Sequence, residues 1–374
     1  MAYTFEGYLR KDGTAGTRNY IGVVSSVVCS SVIANEISER FPKAIPFVHA
    51  NGCAQLGDDF QLTKNMLVGV ASNPNLHSAL LVGLGCETNQ VSGLLHSIPK
   101  TKPVKGIGIQ QMAGGENTVN KGVEIVGKWS NEVDKEKRVR LPLSNLTVGI
   151  VTVDVDTDTL RKVTPVVSGL IDRLIQNDAT VVTGLTETLE PAGTLMAERT
   201  GNEETANRLR KLSVGVERKQ WKEIKKELST SLVFTEVEKS FATLESELTG
   251  SNPIISLLDY NEKPKSKGLH LSLATTNIVE TFSTMASSGC NIVLVISSRG
   301  ILTGSIALPC MTVSPENTNG AFDELTDFIV TEESANDQVE KLMEELIAIS
   351  SGKQTSLEKF ELGEFSIPHI GTTF

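Results

Sequence analysis

Three cysteines, with one histidine and one glutamate beside them, are the residues whose types and spacing suit chemistry. Cys29 follows the apolar run Ile21-Gly-Val-Val-Ser-Ser-Val-Val28. Cys53 follows Ala44-Ile-Pro-Phe-Val-His49 and the turn Ala50-Asn-Gly52. Cys86 follows Ser78-Ala-Leu-Leu-Val-Gly-Leu-Gly85. Thiolates bind iron, zinc and iron–sulfur clusters, and three of them with one position left open would suit a Lewis acid that also holds substrate. The other reading is three small residues packed at strand ends, since free cysteine is often buried. No local CxxC pair is present, so the pattern is topological. His49, four residues before Cys53, suits a general acid or base, a ligand, or a structural imidazole. Glu87, next to Cys86, suits proton transfer or metal binding, or simply an acid at a helix start.

The elements that must position these residues follow from pattern. Each cysteine follows an uncharged, apolar run, the first of them Val-rich as in a strand covered on both faces of a parallel sheet, and a helical segment follows each time. The helices start after Ser30-Ser31, at Asp58-Asp59 and near Asn89. A fourth strand, Val104 to Ile109, leads through Gln110 and Gly114-Gly115 into a helix from about Glu116 to Trp129. Such alternation implies right-handed βαβ units, with all three thiols at carboxyl strand ends, where open α/β sheets bind ligands.

The charged stretch 131–145 reads as a linker between a first domain, 1–130, and a second, 146–374. The second opens with a strand at Leu146 to Val153, a long helix from about Asp158 to Gln176 and a strand at Thr180 to Thr183. A charged helical insertion is expected over about 191–249. Short strands are expected at Leu257 to Tyr260, Leu269 to Thr275, Asn291 to Ser297 and Ile306 to Val313, and helices near Val279 to Ser287, Gly320 to Phe328 and Glu333 to Ile349. The predicted fold is therefore α/β, two Rossmann-like domains with mainly parallel sheets flanked by helices.

Composition narrows the function. The chain has 374 residues, 39% of them hydrophobic, and a formal charge of −10. That acidic balance argues against nucleic acid or an anionic membrane as partner. No apolar run is long enough to span a bilayer, and no signal peptide is evident at the first residues. Five cysteines in a chain this long fit a reducing cytoplasm better than a disulfide framework. No GxGxxG or Walker pattern occurs, so no nucleotide cofactor is expected.

Several polar positions suit substrate binding. Thr17-Arg18-Asn19 forms a polar turn ahead of the first long strand, and its arginine could grip a carboxylate in bidentate fashion. Gly114-Gly115 at a helix start could offer backbone N–H groups to an anion. Arg299-Gly300 is a second basic loop after a strand. In each case an ordinary turn is the alternative.

Taken together, Gly7-Tyr8, Arg10, Asp12-Gly13, Gly16-Thr-Arg-Asn-Tyr20, Cys29-Ser30, His49 with Gly52-Cys53, Gly83-Leu-Gly-Cys-Glu87 and Gln110 with Gly114-Gly115 resemble the family of altronate dehydratase, galactarate dehydratase and the large subunit of sulfolactate sulfo-lyase. Weaker similarity continues through Glu187-Thr-Leu-Glu190, Asp259-Tyr260, Lys267-Gly268 and Arg299-Gly300. The resemblance implies a hydro-lyase acting on a sugar acid or related 2-hydroxy carboxylate, with a sulfo-lyase subunit or a non-catalytic acid-binding paralogue as alternatives. It implies iron, as Fe2+ or an iron–sulfur cluster, or another divalent metal, held by Cys29, Cys53 and Cys86. His49 or Glu87 would then move protons, with Arg18 and Arg299 on the substrate's carboxylates and Thr17, Asn19, Gln110, Gly114, Gly115 and Gly300 around it. A separately encoded small subunit and a homo-oligomer are expected as partners. The chain departs from the family's pattern at Gly193-Thr-Leu-Met196, between Glu227 and Glu238, and at Leu273-Ala-Thr-Thr276.

Overall fold

The computed structural model describes residues 3–53, 55–185, 190–212, 236–275, 277–316 and 323–369. They form two Rossmann-like α/β domains, each a parallel sheet flanked by helices, with a small antiparallel sheet beside them.

The first part of the chain runs β1 (Thr4–Leu9), β2 (Ala15–Gly16), β3 (Tyr20–Ser25), α1 (Ser31–Ser38), β4 (Ala44–Phe47), α2 (Gly57–Ala71), β5 (Leu76–Gly83), α3 (Val91–Ser97), β6 (Val104–Gly108), α4 (Gly115–Val133) and β7 (Val139–Pro142). Strands β4-β3-β5-β6 make one parallel sheet in that order. Every residue of β5 and all of β3 after Tyr20 are buried, which is why these runs carry no charge. Helix α4 buries Thr118, Val119, Gly122, Ile125, Val126, Trp129 and Val133, the stripe expected of an amphipathic helix laid on a sheet.

The second part runs β8 (Thr147–Val153), α5 (Thr157–Gln176), β9 (Thr180–Leu185), α6 (Glu190–Ala197), α7 (Glu203–Arg210), α8 (Glu236–Leu248), β10 (Ile254–Leu258), β11 (Gly268–Leu273), α9 (Ile278–Ser287), β12 (Ile292–Ser297), β13 (Cys310–Pro315), β14 (Phe328–Val330), α10 (Ala335–Ser350) and α11 (Ser356–Lys359). Its seven parallel strands are ordered β10-β11-β9-β8-β12-β13-β14.

Some elements differ from expectation. Within the stretch 131–145, α4 continues to Val133, and β7 pairs antiparallel with β1 from Thr4↔Pro142 to Gly7↔Val139. Pairing gives the ladder groups of the half-buried β1 and the largely exposed β7 a partner, which their own sequences do not reveal. The strand expected from Ile306 begins only at Cys310. Where a helix was expected near Gly320 to Phe328, residues 317–322 lie outside the described residues, Asp323–Leu325 is a single 3-10 turn and Phe328–Val330 is a strand. In the charged insertion, α6, α7 and α8 are helical as expected, while 213–235 lie outside the described residues, as do 186–189 and Thr276.

The two parallel sheets meet at their amino ends. Asn75, just before β5, accepts from the N–H groups of Thr17 (2.8 Å) and Arg18 (3.3 Å) and donates to the carbonyls of Asn291 (3.0 Å) and Ala307 (2.9 Å), which precede β12 and β13. Asn73 donates to Ala286 and Cys290. Helices α2 and α9 pack on each other between the sheets, and at Gly69 there is no room for a Cβ against Ser287.

Candidate active site

At a switch point two neighbouring parallel strands send their connections in opposite directions, and a crevice opens at their carboxyl ends. In the first sheet this falls between β3 and β5, and in the second between β8 and β12. Cys29 and Cys86 stand in the loops that leave β3 and β5, and Cys53 stands in the neighbouring loop from β4. All three thiols are free and exposed. The loops are tied together: Val28 N–H donates to Asn51 O (2.9 Å), and Ser26 Oγ donates to Glu87 Oε1 (3.0 Å).

The three thiols have the right chemistry for iron. Yet among the described residues no group of three or more His, Cys, Asp or Glu side chains is placed to hold a metal ion. As placed, these residues do not fit a single bound ion. The other two cysteines, Cys290 and Cys310, are buried, and burial pushes both thiols up to about 12. A thiol reagent is therefore expected to label three groups rapidly in the native protein and five after unfolding; fewer than three native labels would contradict the exposure of the strand-end thiols.

His49 and Glu87 are both committed to the loops. The His49 ring is 8% exposed. Its Nδ1 accepts from the Asn51 N–H (3.1 Å), so Nε2 carries the proton and donates to Ser25 O (3.0 Å). Burial pushes its pKa down to about 4, against the pull of the Ser25 carbonyl. A ring with both nitrogens occupied and no charge at neutral pH holds the ends of β3 and β4 together. Glu87, 5% exposed, folds back over Gly83, which has no room for a Cβ there. Its Oε2 accepts from Gly85 N–H (2.6 Å), so its carboxylate binds the Cys86 loop to the strand that leads to Cys29.

Gln110 lies beside this group. Its side-chain amide covers Gly85, whose φ of +124° suits glycine. Gly114 (φ +131°) leads into α4, so the free N–H groups of that helix's first turn lie at the same edge of the sheet. In the second sheet, Arg299 is exposed in the loop after β12, and its guanidinium has no partner among the described residues. Ser297 Oγ donates to Asp154 Oδ1 (2.9 Å) and Ser298 Oγ to Asp154 O (2.7 Å), which joins the loops of the second switch point and holds Asp154 at φ +47°. Nothing near Asp154 in the chain marks it as a site residue.

Thr17, Arg18 and Asn19 stand apart from this site. They precede β3, so they lie about 20 Å, one six-residue strand, from the loop of Cys29. Arg18 donates through Nε (2.7 Å) and NH2 (2.6 Å) to the two carboxylate oxygens of Glu358, and also to the carbonyls of Thr17, Ile349 and Lys353. Thr17 Oγ1 donates to Asn291 O (2.5 Å) and Asn19 Nδ2 to Glu136 Oε2 (2.8 Å). The expected bidentate arginine is real, but its carboxylate belongs to the protein. The substrate clamp expected here is corrected to a structural lock.

The tail supplies what the sequence did not suggest. Glu364 N–H donates to Gly304 O (2.9 Å). Phe365 then packs edge-on against Phe47, with ring centres 5.2 Å apart, and Ile367 O accepts from Asn51 Nδ2 (3.2 Å). His369 Nδ1 ends 3.2 Å from Asp59 Oδ1 at the start of α2. His369 carries no local sequence signal, because its surroundings are wholly tertiary.

Two Rossmann-like parallel sheets with polar loops at their carboxyl strand ends define an α/β protein of the type that binds small ligands at those ends. The chain belongs to the D-galactarate dehydratase/altronate hydrolase family: the model of that family's second domain matches residues 7–134 and the model of its C-terminal domain matches 143–373. It is similar to an altronate dehydratase of Bacillus subtilis strain 168, 26% identical over 99% of this chain and 78% of that one. It is 26% identical to an altronate dehydratase of Escherichia coli K12 over 98% of this chain and 78% of that protein. It is also 24% identical to the (2R)-sulfolactate sulfo-lyase subunit beta of Chromohalobacter salexigens, over 98% of this chain and 97% of that one.

Proposed function

We propose that this chain is a dehydratase acting on a sugar acid or a related 2-hydroxy carboxylate. It is an enzyme of the carbon–oxygen lyase class, as its dehydratase relatives are. The observation that carries the reading is the placement of Cys29, Cys53, Cys86, Gln110 and Gly114-Gly115 at the carboxyl strand ends of the first sheet and of Arg299 in the loop after β12 of the second, in a chain of this family.

The exposed Arg299 guanidinium and the N–H groups at Gly114-Gly115 bind the substrate's carboxylates. Neutralising the carboxylate acidifies the carbon beside it. A base takes the proton from that carbon, and the C–H electron pair becomes a carbon–carbon double bond. The hydroxyl on the next carbon departs with its electron pair and a proton as water. The enol left behind becomes a 2-keto acid. His49 and Glu87 serve by holding the cysteine loops in place.

A small partner subunit is supported by the match to nearly the whole of a protein named as a subunit beta. Free cysteines, with no disulfide among the described residues, support a cytoplasmic location. Among the described residues no helix is long and apolar enough to cross a membrane.

The test is 2-keto acid formation from a panel of hexaric, aldonic and sulfonated hydroxy acids. Turnover of at least one acid is expected, with KM raised about tenfold or more in Arg299→Ala, the worth of one charge-assisted contact. Thermal stabilisation by an acid without any product would show a binding protein instead.

A further inference from the structure

Resting on the dehydratase reading, we propose that His369 is the general acid–base of the elimination, oriented by Asp59. With both nitrogens of His49 occupied and Glu87 folded back on its own loop, the proton mover must come from elsewhere.

The tail brings one. Residues 364–369 run from the second-domain segment after Arg299, held at Gly304 and Thr303, to the first-domain loop between Asn51 and Asp59 that contains Cys53. Six residues reach at most about 20 Å, so the tail fixes how far apart these two segments stand. On the way, Ser366 N–H donates to Ser283 Oγ of α9 (3.1 Å), and Phe365 faces the His49 ring at 6.5 Å between centres. These contacts hold His369 at the rim of the cysteine loops.

The ring is set up as a base. Nδ1 stands 3.2 Å from Asp59 Oδ1, and the Asp59 side chain is itself only 12% exposed. A carboxylate at that nitrogen keeps the proton on Nδ1 and leaves the lone pair on Nε2. Both ring nitrogens are buried and neither makes a hydrogen bond among the described residues; Nδ1 has the Asp59 carboxylate beside it, and Nε2 has no such neighbour. A buried polar atom without a partner needs an explanation, and a substrate hydrogen or oxygen supplies it. Nε2 takes the proton from the carbon beside the carboxylate, then returns it to the departing oxygen. Water leaves, and the imidazole ends neutral, as it began.

The experiment uses the full chain and the acid that the wild type turns over. His369→Gln is expected to lower kcat roughly 10²- to 10⁴-fold with KM and melting temperature unchanged, since general acid–base groups contribute about that much. Added imidazole is expected to restore part of the turnover in His369→Ala, a rescue that a structural role would not show. Asp59, a positioning residue, is expected to lower kcat when changed to Asn and to recover part of it as Glu. Full kcat in His369→Gln overturns this assignment alone. Absence of turnover by the wild type overturns the dehydratase reading, and this assignment with it.

Discussion

Replacing Arg18 by Met is expected to lower the free energy of unfolding by about 3–5 kcal/mol, the cost of breaking a buried ion pair from one side. The change leaves the Glu358 carboxylate, 18% exposed in its side chain, without its bidentate partner. It also strips donors from the carbonyls of Thr17, Ile349 and Lys353, each of which then bears a desolvation cost. Glu358 cannot turn to water without further loss. Its Oε2 also accepts from Thr355 N–H (2.9 Å) in the capping box that starts α11. Urea unfolding of Arg18→Met, Glu358→Gln and the double variant gives the coupling directly, and a large coupling energy is expected. Kinetics separate this lock from a substrate clamp: below its melting transition, Arg18→Met should keep the wild-type KM. A KM raised tenfold or more in the folded variant would return Arg18 to the substrate.

The second expected result concerns His49. Its folded pKa, about 4, lies below the ordinary histidine value of 6.5. The unfolded chain therefore binds its proton at a higher pH than the folded chain does. Stability from this group is fully present above pH 6.5 and is lost as pH falls from about 6.5 to about 4. Integrated over that window, the loss is on the order of 3 kcal/mol. The physical cost is plain, because a proton on Nδ1 would displace the Asn51 N–H that this nitrogen accepts. Unfolding free energies measured between pH 7.5 and 4.5 should fall more steeply for the wild type than for His49→Gln. The comparison is needed because burial also lowers the pKa of His77 and His270, which act with the same sign. Equal slopes in the two proteins would show that the ring is not buried neutral.

Much of the architecture could be read directly from residue patterns. A run such as Ser78-Ala-Leu-Leu-Val has one structural use, a strand covered on both faces, and β5 is buried along its whole length. The position of each cysteine after such a run placed all three at carboxyl strand ends without any knowledge of contacts. What stayed hidden depends on partners far away in the chain. Arg18 looks like a ligand grip because its type and turn are right, and only Glu358, 340 residues on, shows otherwise. His49 looks like a base until the Asn51 N–H is seen on Nδ1. His369 sits in a tail with no periodicity, so nothing local tied it to Asp59. Short paired segments such as β1 and β7 escape for the same reason: they pair with each other from opposite ends of the first domain, and their register is set by the partner.

The clasp between Arg18 and Glu358 also has a meaning for how the protein is made. Translation delivers the arginine, with every strand of the first sheet close behind it, more than three hundred residues before its carboxylate partner. The first sheet can assemble early, since β3 to β6 are close in sequence, but the Arg18 guanidinium at its amino edge lacks its carboxylate and two of its carbonyl partners until the α10–α11 segment emerges. The tail that carries His369 follows that segment directly. A nascent chain released before it would thus be both unlatched at one edge of the sheet and without a base at the other, so an incomplete product is marked by its own instability before it can meet substrate.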